Sequence, residues 1–529
     1  MGAMGCGRTG PLPSSPAKSP TGSRRDPNFQ QAHRLWEGEL PARVSREESC
    51  GVVVLGGGIA GLSAGWRLRH QGFDDFLLLE LEESLGGNSR SLSFATTDAP
   101  IAAHYLPLPN LEARAVRRVL KEMGVLRKAP TGRFEIDGDR LCHSPQERLH
   151  YMGRWYEGLF PEAILDDETL RQAEEFHRHV EGWKARRDSR GRKVFALPLA
   201  LSSDEPEFTK LDDLSFADYA QQQGWTSPLL LWYLEYACRD DFGGSLANCS
   251  AWAGLHYFAS RDGGGLGDPD DMLVWPEGNH RLAKHLAEAV GEERCRSGSL
   301  VLSVVPGPTG VVVEYLDLAK QQRVRLRCEA AVFCLPTFLR SHLIAGEQKR
   351  SEFVYAPWVS ANLELSSAPA DSQGAGFVAW DNVLYGKASL GYVVATHQQM
   401  AFDPLRPTVW TWYRPFPDGD AVEHRKALLD SRWEDWVAEV FAELEPVHPD
   451  IREKCQRLDV TVLGHGMIRP SVGFLFGKAI GQARRPVGRL FFGHGDLSGM
   501  SLFEESQYRG VLAAEHALAA LGQSVETFL

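Results

Sequence analysis

The chain has no long apolar run. None of its segments reaches the stretch of about 18 consecutive apolar residues that a membrane-spanning helix requires. Its nine cysteines include no Cys-x-x-Cys pair, and this odd number in 529 residues does not indicate a disulfide framework. The H-E-x-x-H and G-x-x-x-x-G-K-[ST] motifs are missing as well, so the sequence favours neither a zinc protease nor a P-loop nucleotidase.

The chain has fewer positively charged than negatively charged residues. There are 57 lysines and arginines against 69 aspartates and glutamates, which gives a net charge of -12 at pH 7. A negative surface repels nucleic-acid phosphates and anionic lipids, and it attracts small cations. Nucleic acid is therefore not an expected partner, whereas a cationic small molecule is compatible with the charge. The hydrophobic content of 43% allows a substantial buried core.

The first 50 residues contain few large apolar groups, and we predict that residues 1–50 form a flexible tail and linker. Within them, Gly5-Cys6 resembles the mature end of a bacterial lipoprotein, in which the cysteine carries a lipid. A plain polar linker is the alternative. A lipid on Cys6 is the one membrane link that we expect, and it would place the protein in the bacterial cell envelope, on the periplasmic side. Without that lipid, a cytoplasmic location is equally open.

A glycine-rich turn follows the first buried strand. The apolar run at 51–55 leads directly into Gly56, Gly58 and Gly61, which have the G-x-G-x-x-G spacing, and a helical pattern comes next. Gly56 allows a tight turn, Gly58 lets the backbone approach a pyrophosphate, and Gly61 lets the helix pack against the strand. A second apolar run ends at Glu80, whose carboxylate is placed to bind a ribose. This combination predicts an adenine dinucleotide site.

Two further segments extend this prediction. The loop after Glu80 contains paired glycines, and the chain ends with a strand, a glycine-rich loop and a helix that runs to about Leu521. Asp496 in that last loop is placed to bond the ribityl hydroxyls of a flavin, and the S-x-x-E pattern from Ser501 to Glu504 predicts a capping box at the helix start. The residues of these two segments that we predict to contact the cofactor are Gly86, Gly87, Asn88, Ser89, Arg90, Gly493, Asp496, Ser498 and Ser501.

Together these segments resemble the flavin-containing amine oxidoreductases, a family that includes monoamine, polyamine and L-amino-acid oxidases. The resemblance implies a non-covalently bound FAD, and it implies that the backbone at Val304 meets the adenine. The expected fold is α/β, with a Rossmann-type FAD-binding domain interleaved with an α+β substrate-binding domain. The resemblance is carried by 52–80, the Gly86-Gly87 pair, 299–336 and 490–521.

The order of these segments predicts the domain boundaries. Residues 51–140, 250–340 and 460–529 are expected to build the FAD-binding domain. Residues 141–249 and 341–459 are then expected to form the substrate-binding domain beside it.

The resemblance implies oxidation of a C–N bond in an amine, by hydride transfer to flavin N5, to give an imine. The acidic composition favours a polyamine-like substrate. His104 is the first candidate for a catalytic residue near the flavin, followed by Tyr105 and Tyr392. The carboxylates that are candidates for a distal positive charge of the substrate are Asp240, Asp241 and Asp381. The candidates for an aromatic cage around the amine are Tyr257, Trp358, Trp380, Tyr385, Tyr392, Trp410 and Trp412.

One departure from the family affects the electron acceptor. Many family oxidases carry a lysine, bridged by water to flavin N5, in the strand that corresponds to 355–362, and that stretch has no lysine here. A dehydrogenase with another electron acceptor is therefore at least as well supported as an oxidase that uses oxygen. Two other functions stay open, namely a flavin-dependent desaturase or isomerase of an apolar substrate and a non-catalytic FAD-binding module.

Overall fold

The computed structural model describes residues 19–38, 40–372, 378–399 and 403–529. The predicted lipid site at Cys6 lies outside the described residues. Within them, no helix combines the length and the apolar character that crossing a membrane would need.

The described residues form twenty strands. In chain order these are β1 (Val44–Leu55), β2 (Phe76–Leu79), β3 (Ser91–Ser93), β4 (Asp98–Pro100), β5 (Tyr105–Pro107), β6 (Leu126–Lys128), β7 (Phe134–Ile136), β8 (Glu147–Tyr151), β9 (Arg154–Glu157), β10 (Met272–Val274), β11 (Cys295–Arg296), β12 (Ser299–Pro306), β13 (Val311–Asp317), β14 (Gln322–Phe333), β15 (Tyr355–Leu365), β16 (Asp381–Leu384), β17 (Tyr392–Val394), β18 (Thr408–Pro415), β19 (Cys455–Ile468) and β20 (Leu490–Phe492).

The described residues also form fifteen α-helices, the first of which precedes β1. In chain order they are α1 (Phe29–Glu37), α2 (Ile59–His70), α3 (Arg114–Glu122), α4 (Asp167–Ala185), α5 (Pro206–Thr209), α6 (Phe216–Gln222), α7 (Pro228–Phe242), α8 (Ala251–Ala259), α9 (His280–Val290), α10 (Arg340–Leu343), α11 (Ala421–Asp430), α12 (Trp433–Leu444), α13 (Ile451–Lys454), α14 (Lys478–Ala483) and α15 (Phe503–Ala520).

The first sheet is Rossmann-like, with seven strands in the order β11-β2-β1-β14-β13-β12 and with β20 beside β14. Strands β11, β2, β1, β14 and β20 are parallel, whereas β12, β13 and β14 form an antiparallel meander. Alternate residues of β1 face opposite sides of the sheet. Val52 and Val54 join the core under α2, α9 and α15, while Val53 and Leu55 join the core formed with α4 to α8. Both faces are therefore covered, which explains the continuous apolar run in this strand.

The second sheet has seven strands in the order β19-β15-β18-β17-β16-β8-β9. Strand β15 pairs antiparallel with both β18 and β19, and β16 pairs parallel with β8. Helix α12 covers one face, where Trp436, Val440 and Phe441 pack against apolar side chains of β15, β18 and β19. A Rossmann-like sheet and a separate, mainly antiparallel sheet confirm the predicted fold class.

The two sheets are interleaved along the chain. The second sheet takes its strands from 147–157, 355–415 and 455–468, and the first takes its strands from the segments before, between and after them. Strand β19 continues past the predicted boundary at 459 and ends at Ile468.

The prediction that residues 1–50 form a flexible tail is wrong for the described part of that segment. Residues 21–25 run parallel to β19, with Thr21 opposite Arg457 and Arg24 opposite Val460. Helix α1 follows, and β1 begins at Val44 instead of at Gly51. Composition does not reveal this order, because backbone pairing along an existing strand requires few large apolar side chains.

Candidate functional site

A cavity of about 490 Å³ lies between the two sheets. Residues that follow β1, β2 and β20 line one part of it, and residues of β15, β18 and β19 line another. The predicted site residues that line this cavity are Gly56, Gly58, Glu80, Gly86, Gly87, Asn88, Ser89, Arg90, His104, Tyr105, Asp496 and Ser501.

The glycine turn after β1 leaves its backbone open to the cavity. Gly56 has a φ of +100°, which side-chain-bearing residues rarely adopt. A Cβ added at Gly58 would meet only the Cα of Gly87, at 3.8 Å. A Cβ added at Gly61 would come within 1.8 Å of the Gly56 carbonyl oxygen, so α2 packs directly behind the turn. The amino end of α2 thus borders the cavity, where its unpaired amides suit a pyrophosphate.

Glu80 follows β2 at the cavity wall. Its carboxylate accepts hydrogen bonds from the amides of Gly57 at 2.5 Å and of Glu82 at 2.9 Å. Burial raises the pKa of Glu80, while the two amide hydrogen bonds favour the ionised form. A carboxylate oxygen has two lone pairs, so Glu80 keeps acceptor capacity for a ribose diol. The glycine turn and Glu80 therefore fit an adenine dinucleotide.

Asp496 lies in the turn that joins β20 to α15. Its carboxylate accepts hydrogen bonds from the Thr337 amide at 2.7 Å, the Thr337 hydroxyl at 3.0 Å and the Tyr355 hydroxyl at 2.5 Å. Burial opposes ionisation, but His494 and the hydrogen bonds lower the pKa of Asp496 overall. Asp496 is thus an ionised and firmly held carboxylate at the cavity wall.

His104 lies at the cavity wall among aromatic rings, with ring centroids 5.0 Å from Tyr413 and 5.6 Å from Trp380. Its Nδ1 is 2.7 Å from the carbonyl oxygen of Ala102. Because a carbonyl only accepts, Nδ1 carries the hydrogen and Nε2 keeps its lone pair. Burial lowers the pKa of His104 to about 4, which keeps the ring neutral at physiological pH.

Tyr105 contacts two adjacent carboxyls of α7. Its hydroxyl oxygen lies 3.3 Å from Oδ2 of Asp240 and 3.2 Å from Oδ1 of Asp241, and Arg261 forms an ion pair with Asp241 at 2.6 Å. A hydroxyl has one hydrogen, so Tyr105 can donate a full hydrogen bond to only one of the two carboxyls at a time. Burial and the neighbouring charge of Asp241 raise the pKa of Asp240 to about 7. Asp240 is therefore the carboxyl that holds a proton below pH 7.

The predicted capping box at the start of α15 is wrong. The helix begins at Phe503 after Leu502, which makes no side-chain cap. The Ser501 hydroxyl instead accepts a hydrogen bond from the amide of Ile468 at 2.9 Å.

Glu504, the other half of that pattern, lines the cavity instead of capping the helix. It is buried, and its Oε1 has no hydrogen-bond partner among the described residues. Burial raises the pKa of Glu504 to about 7, and Arg261 and Asp241 lie close enough to act on its charge. Glu504, Asp241 and the half-buried Asp240 thus form an acidic part of the cavity.

Sequence comparison supports the dinucleotide site. Residues 54–123 match a family described as NAD(P)-binding Rossmann-like domain. Polyamine oxidase 7 of Oryza sativa subsp. japonica is 35% identical over 68 residues, which are 13% of this chain and 14% of that protein. The sequence match therefore spans about a seventh of the relative's length.

Solved structures match over most of the chain. A wild-type putrescine oxidase bound to putrescine is 15% identical with a TM-score of 0.63, covering 89% of this chain and 100% of the other. Cyclohexylamine oxidase from Brevibacterium oxydans IH-35A is 14% identical with a TM-score of 0.62, covering 90% of this chain and 100% of the other. The chain has the flavin amine oxidase fold. This confirms the resemblance to flavin-containing amine oxidoreductases that the sequence motifs indicate.

The same fold also occurs in a protein with a different activity. A fatty acid isomerase from P. acnes that produces CLA is 14% identical with a TM-score of 0.61, covering 88% of this chain and 97% of the other. At 14–15% identity, these likenesses are likenesses of fold.

Most of the predicted aromatic cage lies elsewhere in this flavin amine oxidase fold. Trp358 is the one candidate that lines the cavity among the described residues. It faces Tyr413, whose ring is nearly parallel, with centroids 6.5 Å apart. Trp410 and Trp412, two residues apart on β18, belong to the opposite face, which α12 covers. Side chains alternate along a strand, so Tyr413 is the β18 residue that reaches the cavity.

The prediction of a catalytic Tyr392 is wrong for the same reason. Tyr392 is buried on the α12 side of the second sheet, where its ring stacks on Trp410 with centroids 4.2 Å apart. Its hydroxyl contacts Nε2 of His448 at 2.6 Å and Arg148 at 3.2 Å. These contacts hold Tyr392 in the core between the second sheet and α12, away from the cavity.

Besides Gly61, which packs α2 behind the glycine turn, three predicted cofactor contacts lie outside the cavity lining. Val304 is buried in β12, where it pairs with Val313 and bridges to Ile344. Gly493 packs β20 against α15, since an added Cβ would lie 3.0 Å from the Cβ of Ala513. The Ser498 hydroxyl is buried and accepts a hydrogen bond from Arg509 at 2.8 Å. The cavity lining does not include these three residues, so their contact with the cofactor stays a prediction.

Several cavity residues had no predicted role there. Arg261 and Tyr413 belong to local sequence without a recognisable motif, and only their contacts in the folded chain reveal them. Residues 27–29 lie in the segment that was predicted to be flexible, although they line the cavity. Glu504 stood in a recognisable pattern, but that pattern indicated a helix cap.

Proposed function

We propose that the chain is an FAD-dependent oxidoreductase that oxidises a C–N bond of an amine, with a polyamine-like substrate favoured. One observation carries this proposal: the cavity that the dinucleotide loops border also contains the buried carboxyls Asp241 and Glu504 and the half-buried carboxyl Asp240. Buried carboxyls that line a cavity favour a cationic occupant, because they are costly to bury without a partner.

The residues that would hold FAD are those of the glycine turn, Glu80 and Asp496. Gly56 and Gly58 leave room for the pyrophosphate beside the amino end of α2, and Glu80 suits the ribose. When bound, the flavin supplies the acceptor for the hydride that leaves the α-carbon of the amine as the imine forms.

Binding without a covalent link is supported by the state of the cavity cysteine. Cys334 is the one cysteine among the described residues that lines the cavity. Burial raises the pKa of its thiol well above the usual range, so the nucleophilic thiolate is suppressed.

The acidic part of the cavity suits the proton balance of the reaction. A substrate amine arrives as an ammonium and must lose a proton before a hydride can leave its α-carbon. Asp240 and Glu504, with pKa values raised to about 7, can accept that proton at neutral pH. The neutral Nε2 of His104 can then accept a hydrogen bond from the amine. The ring faces of Trp358 and Tyr413 favour a positively charged group nearby.

An apolar substrate is the second candidate, favoured by the likeness to a fatty acid isomerase. Such a substrate would leave Glu504 and the Asp240–Asp241 pair buried against hydrocarbon, which is costly. A non-catalytic FAD-binding module is the third. Neither alternative uses the acidic lining, so the amine proposal is the better supported.

The electron acceptor is the open element of the proposal. Among the described residues, no lysine lines the cavity, and Ser360 of β15 instead donates a hydrogen bond to the Ile101 carbonyl at 2.5 Å. A dehydrogenase that uses another carrier is supported at least as well as an oxidase.

A matched pair of substrates tests the acidic site. We expect 1,4-diaminobutane to reduce the bound flavin at least about tenfold faster than 1-aminobutane at equal concentration, because only the diamine carries a second charge for the carboxyls. The measurement is the anaerobic loss of flavin absorbance in a stopped-flow instrument.

Asp241→Asn should remove most of that preference, while Asp430→Asn, an exposed position at the end of α11, should leave it unchanged. Equal rates with both amines in the wild type would contradict a polyamine-like substrate and leave amine oxidation itself standing.

A further inference from the structure

The segment 21–29, which we call the strap, joins the second sheet before it reaches the cavity. Four backbone hydrogen bonds pair it with β19: Thr21 amide to Gln456 carbonyl at 3.0 Å, Leu458 amide to Thr21 carbonyl at 2.8 Å, Val460 amide to Ser23 carbonyl at 3.0 Å, and Arg25 amide to Val460 carbonyl at 2.7 Å. The strap therefore adds an edge to the sheet, as a separate peptide would by strand addition.

Side chains fix the strap further. Asp26 accepts a hydrogen bond from the Val462 amide at 3.0 Å, and Arg24 forms an ion pair with Asp26 at 2.5 Å. Gly22 lies so close to β19 that an added Cβ would come within 1.9 Å of the Leu458 carbonyl oxygen, and its φ is +138°. The position thus accepts only glycine without a shift of the strap.

The strap then crosses to the first sheet. The Asn28 amide donates a hydrogen bond to Glu82 at 2.7 Å, and Glu82 accepts another from Arg90 at 2.9 Å. Glu82 follows Glu80, the residue suited to the ribose, and all of these residues line the cavity. Beyond the strap, α1 packs against α10, where Trp36 meets His342 with ring centroids 5.0 Å apart.

We infer that Pro27, Asn28 and Phe29 form a wall of the cofactor site on its ribose side, and that the strap slows release of a bound adenine dinucleotide. This inference rests on the proposed FAD binding. The strap is anchored on β19 and on Glu82, so opening of the Asn28–Glu82 contact would widen the way out for a cofactor on this side of the cavity.

Gly22→Ala is the variant that tests the strap, because it displaces the strap from β19 without altering a cavity residue. Its matched control is Gly72→Ala, which also replaces a glycine of positive φ, at +75°, but with no atom within 4 Å of the added Cβ. The FAD-loaded proteins are diluted, and the release of FAD is followed by the rise of free-FAD fluorescence. We expect Gly22→Ala to release FAD at least about tenfold faster than the wild type, because the loss of backbone hydrogen bonds to β19 increases the population of the open strap. Gly72→Ala should match the wild type.

Hydrogen exchange of backbone amides provides the second readout. In the wild type, the Asn28 amide should exchange more slowly with FAD bound than without it. In Gly22→Ala, the Thr21 and Arg25 amides should lose their protection. The inference is overturned if Gly22→Ala has unprotected Thr21 and Arg25 amides but releases FAD at the wild-type rate. It is also overturned if FAD does not change the exchange rate of the Asn28 amide in the wild type. If the Thr21 and Arg25 amides stay protected in Gly22→Ala, the variant has not displaced the strap, and the effect of FAD on Asn28 exchange in the wild type decides the inference. A protein without the visible flavin band contradicts FAD binding itself, which separates that failure from a failure of the strap.

Discussion

At the residue scale, the cavity contains acidic side chains that are shielded from water and that have few hydrogen-bond partners. Glu504 has an unpartnered Oε1, and Asp240 shares the Tyr105 hydroxyl with Asp241. Burial raises the pKa values of Asp240 and Glu504 to about 7. Each of these carboxyls therefore changes charge near neutral pH, where the proposed ammonium substrate would bind and lose its proton.

Glu504→Gln should change how stability depends on pH. The pKa of Glu504 is about 7 in the folded chain and 4.5 for an unperturbed glutamate, so the folded state binds the extra proton between these values. Stability of the wild type therefore falls as pH rises through this window, and the loss is complete above pH 7. The variant lacks this loss. We expect similar free energies of unfolding near pH 4.5 and a more stable variant near pH 8, by up to about 3 kcal/mol.

Denaturation of cofactor-free wild type and Glu504→Gln across this pH range provides the measurement. A difference in the free energy of unfolding that stays constant with pH would show that Glu504 does not titrate in this window.

At the scale of elements, the contact between α2 and α15 holds the dinucleotide turn in place. Gly510 of α15 packs against the backbone of α2, where an added Cβ would come within 2.0 Å of the Ala60 carbonyl oxygen. Gly61 makes a similarly close approach to the turn itself. The turn is therefore clamped between β1 and two helices, which keeps its amides directed at the cavity.

Gly510→Ala should disrupt this clamp. We expect a loss of stability of about 1–3 kcal/mol, since the new methyl group must push the two helices apart. The control is Gly481→Ala in α14, where no atom lies within 4 Å of the added Cβ. That change should be neutral or should stabilise by up to about 1 kcal/mol, because alanine favours the helix. Urea denaturation compares the two variants, and equal effects would contradict a tight α2–α15 contact.

Local sequence signals predicted some of these elements well and others poorly. The strand, glycine turn and helix around Gly56 were predictable because glycine spacing and apolar runs act over a few residues. The choice of face on β18 was not, since both faces are apolar and only the distant α12 determines which one is covered. The sequence pattern from Ser501 to Glu504 is compatible both with a helix cap and with a cavity wall, and the linear sequence does not distinguish the two. The strap depends on β19, more than 400 residues away, so composition alone indicated disorder.

At the scale of the whole molecule, two interleaved domains meet at one cavity. Each sheet receives strands from several parts of the chain, so neither domain is a continuous segment. The dinucleotide loops come from the first sheet, while Trp358 and Tyr413 come from the second. The part of the cavity that suits a dinucleotide and the part that the second sheet lines are thereby joined. This is the arrangement that the proposed hydride transfer needs. The sequence predicted the two domains from their order, but the acidic lining appears only when α7, α15 and Arg261 come together.

The most direct test of the central claim is the visible absorption spectrum of the purified protein, recorded without oxygen before and after single amines are added. The proposal predicts a flavin band that a diamine or polyamine bleaches, and admission of air then separates an oxidase from a dehydrogenase by the rate at which the band returns. A flavin band that persists with every amine would contradict amine oxidation, and a protein that takes up no flavin when FAD is supplied would contradict the cofactor assignment.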